Sequence, residues 1–179
     1  MLSATEFENV YSWKPYRNDW PVDMDQKDQT ILEHFGALIK DMINNEVFEC
    51  TQTQPGDITN YLEFLCYPST VKDDNTDQPG ILVCVSLCAP IAIYCETVFK
   101  KDIKSFAYAF PDPAMVGVVQ HKQLKPIETE LLGIFEKHQL DLIPRQYATQ
   151  DLSTDMATNL DSLNFGNKVL HGLFQWREF

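Results

Sequence analysis

The stretch from Ile81 to Ile93, ILVCVSLCAPIAI, is apolar at both sets of alternating positions. An extended segment of that kind has no solvent side, so it belongs in the middle of a sheet that is covered on both faces. Pro90 marks a turn or bulge between two strands, because proline cannot donate to a ladder. The run is also shorter than the roughly 20 residues needed to cross a bilayer, and Ser86 and Pro90 interrupt it. It reads as core.

The segments around it extend the sheet. Val47 to Thr53, Ile58 to Tyr67, Ile81 to Cys88, Ile91 to Phe99, Ser105 to Phe110 and Met115 to Gln120 are short, β-rich and bounded by turns. Gln54-Pro55-Gly56-Asp57 and Pro111-Asp112-Pro113 are compact turn sequences, too short for a helical crossover, which favours antiparallel pairing. Pro68 to Gly80 is one long polar loop.

Two segments carry a helical period. Ile31, Leu32, Phe35, Leu38, Ile39, Met42 and Ile43 form one stripe, with Asp25 and Asp28 at the positive end of the helix dipole and Asn44 and Asn45 at the exit. This predicts a helix over about 25 to 45. Pro126 in a first turn, followed by Glu128 and Glu130, starts a second helix with the stripe Ile127, Leu131, Ile134, Phe135 and His138, ending near Gln139. Residues 1 to 24 mix Phe7, Tyr11, Trp13, Tyr16 and Trp20 with two prolines and predict an ordered arm with little regular structure. Lys168 to Trp176 reads as a last strand. Together these predict an α+β fold: one domain over 1–179, a mostly antiparallel sheet packed by an N-terminal and a central helix. At 179 residues the chain can bury roughly two thirds of its unfolded surface without staples.

Charge is the least ordinary property. The net charge is −12, and residues 1 to 80 hold fifteen acids against five Lys and Arg. A field of that sign repels phosphates and anionic lipids, so a partner with a basic surface is expected, with no nucleic acid and no membrane. The N-terminus has two acids before any base and no apolar run of seven residues, so it reads as neither a secretory signal nor a transit peptide, and a cytoplasmic location is expected. The five cysteines (Cys50, Cys66, Cys84, Cys88, Cys95) are odd in number, contain no CxxC pair and sit in apolar runs, which suits reduced core thiols.

Catalytic signatures are weak. Cys84 or Cys88 with His121 could make a nucleophile pair, but thiols inside runs such as ILVCVSLC are ordinarily buried and inert. The four histidines are scattered without metal-ligand spacing. Asp73, Asn75, Asp74 and Asp77 resemble a calcium loop but lack its glycine and its bidentate glutamate. Phosphate-loop and nucleophile-elbow motifs do not occur. The chain therefore reads as a non-enzyme without a cofactor, whose acids Asp25, Asp28, Glu33, Asp73, Asp74 and Asp77 contact a partner.

In charge and layout the chain resembles bacterial immunity proteins of polymorphic and contact-dependent toxin systems, which are small, acidic, cytosolic, often α+β and poor in motifs. The resemblance implies an antitoxin-like function, in which carboxylates occupy the basic cleft of a toxin domain. The alternatives are a secretion chaperone that holds a client along a sheet edge or apolar groove, and an enzyme with an unrecognised site.

Overall fold

In a computed structural model, residues 1–21, 27–53, 59–71, 76–101, 106–159 and 166–175 are described. They form an α+β domain around one sheet of mostly antiparallel strands. Its strands are β1 (Glu49–Thr53), β2 (Tyr61–Tyr67), β3 (Asp77–Ser86), β4 (Ile91–Lys101), β5 (Phe106–Ala107) and β6 (Asp141–Leu142). β1 to β5 are neighbours in that order, all antiparallel, and β6 pairs parallel with the start of β4.

β3 is central, as its two-sided apolar sequence requires. Ile81 through Val85 are each 0% exposed. One face of the sheet, with Leu62, Phe64, Ile81, Val83, Val85 and Tyr94, packs against the helices at 27–43 and 125–137. The other face, with Tyr61, Cys84, Ile91 and Ile93, packs against the N-terminal helix and the C-terminal helices. β3 is longer than expected, and Asp77 to Gly80 are strand rather than loop. Pro79 is tolerated there because the β2 ladder stops at Cys66–Ile81, leaving only β4 to pair with. Gly80 is required by packing: a Cβ would lie 2.9 Å from the Phe99 ring and 3.1 Å from the Cys66 carbonyl oxygen.

The helices are α1 (Ala4–Tyr11), α2 (Lys27–Thr30), α3 (Gly36–Ile43), α4 (Lys125–Lys137), α5 (Arg145–Ala148), α6 (Thr154–Asn159) and α7 (Val169–Leu173). α4 follows its sequence pattern, with Ile127, Leu131, Ile134 and Phe135 buried and proline in its first turn. It ends in a Schellman motif: Gln139 takes a left-handed φ of 54°, and Leu140 N–H donates to the Phe135 carbonyl.

Three expectations are corrected. The arm at 1–24 contains α1, started by a capping box in which the Ser3 hydroxyl accepts from Glu6 N–H and Glu6 accepts from Ser3 N–H. The arm does pack on the domain: Tyr16 N–H donates to the Cys88 carbonyl and Trp20 Nε1–H to the Leu87 carbonyl. Met115 to Gln120 is not a ladder strand. After a 3-10 turn at Pro113–Met115, the left-handed φ of 71° at Gly117 bends the chain, and residues 117 and 118 cap the middle of the β4 edge through Gly117 N–H to Tyr94 O and Glu96 N–H to Val118 O. The expected last strand is helix α7, because Val169, Leu170, Leu173 and Phe174 bury one helical face against Phe7 and Val10. The Gln54–Asp57 turn and Trp176 lie outside the described residues.

Candidate functional site

The helix expected over 25–45 is described from Lys27 to Ile43, and its middle is a π-helical turn over Ile31–Phe35. That turn changes what the helix presents. In a regular α-helix Leu32 would sit about 60° round from Phe35 and stay at the margin of the apolar stripe. The wider π turn swings it further from the sheet. Phe35, Leu38 and Met42 are buried at 4%, 2% and 0%, whereas Leu32 is 75% exposed, the most exposed large apolar residue inside an element among the described residues. The apolar spacing assigns Leu32 to the core stripe; the structure puts it on the surface.

Near Leu32 along the helix the exposed side chains, among the described residues, include Asp28, Gln29, Glu33 and His34. Glu33 accepts a hydrogen bond from Gln29 at 2.8 Å. Neither Asp28 nor Glu33 takes part in an ion pair among the described residues. Other acids of the first 80 residues are engaged elsewhere: Glu6 pairs with Arg17 at 2.5 Å, and Asp41 with Lys137 at 2.7 Å and His138 at 2.6 Å. Hydrogen bonds from the Ser3 backbone and from Arg17 pull the Glu6 carboxyl down to about 2, and Lys137, then His138, hold the Asp41 carboxyl below its ordinary range.

Of the six acids expected to contact a partner, Asp25, Asp73 and Asp74 lie outside the described residues. Asp28 and Glu33 share the head of one helix. Asp77 is apart from them. It opens β3 at the end of the sheet where β1 also begins, and faces Lys100 at 3.6 Å. α3 packs on β1 and ends five residues before it, so the connectivity puts the helix head at the far end, a strand length of order 20 Å away.

One buried charged group escapes the reading of the sequence. Glu63, in the middle of β2, is 2% exposed. Its Oε1 accepts from Thr53 Oγ1 at 2.8 Å and from Tyr108 Oη at 2.6 Å, and Cys84 stands opposite it on β3. Burial pushes the Glu63 carboxyl above its ordinary value, and the bonds from Tyr108 and Thr53 oppose that rise without cancelling it. Burial, followed by the Glu63 charge, also raises the Tyr108 phenol. The signal in the sequence is a lone acid in YLEFLCY, a strand apolar on both sides. Both partners bond one carboxyl oxygen, and the group bridges β1, β2 and the segment after β5, which makes it a fastener of the sheet face rather than an exposed acid or base.

The thiols considered as nucleophiles lie in the core. Cys84 and Cys88 are 0% exposed, and burial raises the Cys84 thiol well above its ordinary value. His121 is exposed, with its backbone N–H on Glu96 at 2.8 Å. Among the described residues there is no group of three or more His, Cys, Asp or Glu that could hold a metal ion, and no helix is long and apolar enough to cross a membrane. No family model, no curated protein and no solved structure matches the chain.

Proposed function

We propose that the protein is a non-catalytic binding protein that neutralises a basic protein partner in the manner of an immunity protein or antitoxin, with the head of the helix at 27–43 as its contact surface. The observation that carries this reading is Leu32, 75% exposed on a π turn and flanked by the exposed carboxylates of Asp28 and Glu33, which form no ion pair among the described residues. Carboxylates steer a basic partner from a distance, and an apolar side chain beside them gains contact energy once water is expelled. The concentration of acids in residues 1 to 80 supports the same sign of partner.

The test uses a basic protein that the tagged chain retains in a pull-down, made as an inactivated domain, with association followed by surface plasmon resonance. Raising salt from about 0.01 M to about 0.15 M shortens the Debye length from about 30 Å to about 8 Å, so the association rate falls strongly while dissociation changes little. D28N with E33Q slows association, L32A speeds dissociation, and D73N/D74N/D77N reports on the loop separately. Salt-independent association, together with unchanged affinity in all three variants, refutes the reading and turns attention to the free edge of β1, the mode expected of a secretion chaperone.

A further inference from the structure

Cys50 and Cys66 stand directly opposite each other on β1 and β2, with their sulfurs 3.8 Å apart. Both project onto the sheet face beneath α3, where Cys66 lies in the core with Leu38 and Met42 and Cys50 packs against it. Cys66 is 0% exposed and Cys50 is half-buried, so Cys50 is the more accessible residue of the pair and Cys66 lies behind it. Opposed residues of antiparallel strands have Cα atoms about 4.5 or 5.5 Å apart, and both values fall inside the range of about 4.4 to 6.8 Å that a disulfide spans. The other three thiols, Cys84, Cys88 and Cys95, are at most 2% exposed, and the strand partners of Cys84 and Cys95 are not cysteines.

We propose that Cys50 and Cys66 are an oxidative modification site, closed by hydroperoxides into a reversible cross-strand disulfide. Cys50 is the point of entry. Its thiolate attacks one oxygen of hydrogen peroxide, an S–O bond forms, the O–O bond breaks, and the departing hydroxide leaves as water after taking a proton. The Cys66 sulfur then displaces the hydroxyl of the Cys50 sulfenic acid: an S–S bond forms, the S–O bond breaks, and the Cys66 proton leaves with that hydroxyl as a second water. Two thiols lose two electrons and one peroxide becomes two waters. Burial, reinforced by the neighbouring Cys50, raises the Cys66 thiol well above its ordinary value, which protects it from direct attack and fixes the order of the two steps.

The bond is of the readily reduced kind. Opposed Cβ atoms in a ladder lie about 4.5–5.5 Å apart, wider than the roughly 3.5–4.5 Å of a relaxed disulfide, so closure draws β1 toward β2 under strain. Among the described residues β1 is an edge strand, paired in the sheet only with β2, and it lies under the helix that carries Leu32. Oxidation thus fastens an edge strand to its neighbour.

The experiment treats the folded full-length chain with hydrogen peroxide, quenches, and counts thiols after denaturation. The count of five free cysteines should fall to three and return to five with dithiothreitol, and peptide mapping should find residues 50 and 66 in one cross-linked species that has lost two hydrogens. C50S, a change at a half-buried position, should keep all four of its thiols under the same treatment. A count that stays at five, a link involving Cys84, Cys88 or Cys95, or Cys50 accumulating as a lone sulfinic acid overturns the proposal. The peptide map of the unmutated protein decides the matter even if C50S does not fold.

Discussion

Replacing Glu63 by glutamine should remove a pH dependence that the buried carboxyl imposes on folding. The glutamine carbonyl can still accept from Thr53 and Tyr108, so the shape and both bonds survive while the charge goes. Hydrogen bonds to a charged acceptor contribute about 1.5–3 kcal/mol and neutral ones about 0.5–1.5, so the two bonds together weaken by about 2–3 kcal/mol. Against that stands the desolvation of the carboxylate, several kcal/mol in a buried site. The direction in which the Glu63 carboxyl moves says which wins: burial raises it although both bonds pull it down. The folded state therefore holds this proton more tightly than the unfolded chain. The associated stability is fully present below the ordinary carboxyl value of 4.5, falls as pH rises from there through the raised folded value, and is flat beyond it. The fall amounts to about 1.36 kcal/mol for each pH unit that separates the folded from the unfolded value. Urea unfolding followed by tryptophan fluorescence across that range should show E63Q gaining on the unmutated protein as pH rises, and matching or exceeding it at neutral pH to within about 1 kcal/mol. Parallel stability profiles for the two proteins would refute the claim that Glu63 is held in a desolvating site.

Three further substitutions test the fold. Leu38→Ala, at 2% exposure under α3, should cost about 2–5 kcal/mol from lost transfer energy and the cavity left behind, whereas Leu32→Ala should stay within about 0.5 kcal/mol; equal losses in urea melts would contradict the π turn. Gln139→Gly should raise stability by up to about 1 kcal/mol, because the left-handed φ of 54° costs a non-glycine residue more than glycine's extra chain freedom; a drop in the thermal midpoint would count against the Schellman end of α4.

The legible parts of the fold are those whose local pattern and tertiary setting agree. β3 and β4 read as a buried pair because ILVCVSLC leaves no polar face, and α4 reads as a helix because Pro126, Glu128 and a 3.6-residue apolar spacing coincide. α7 misleads because VLHGLFQW contains β-branched and aromatic residues that suit a strand equally well; its helical face is selected by α1, more than 150 residues earlier in the chain. α1 itself has a signature in Ser3-x-x-Glu6, outweighed by the aromatic and proline content that follows. The π turn has no local signature, since the spacing of Ile31, Leu32 and Phe35 fits an α-helix as well. The site is less legible than the fold for a related reason. Counting charge along the chain finds an acidic half, but the sheet sends Asp77 to one end and Asp28 and Glu33 to the other, while salt bridges retire Glu6 and Asp41. Glu63 becomes visible only once Tyr108, 45 residues later, comes to stand over it.

The closure of the sheet narrows where recognition can occur. One face is covered by helices, the other by helices and by the segment around Tyr108 and Met115, and the outer edge of β4 is covered in three places: β6 at Ile91–Ala92, the chain at 117–118 beside Tyr94 and Glu96, and β5 at Lys100–Lys101. Among the described residues this leaves the β1 edge and the helix packed on it as the side of the molecule where backbone groups and an apolar side chain face outward together. Leu32 and the carboxylates beside it belong to that side, and so does the Cys50–Cys66 pair, with one strand in the free edge and the other behind it. A partner that docks on the helix head meets a surface whose support is β1, a strand held in the sheet by β2. A disulfide between Cys50 and Cys66 therefore acts on the support of that surface from the core side of the sheet, and the two proposals can be tested separately on one protein: the salt dependence in the reduced form, and the thiol count with no partner present.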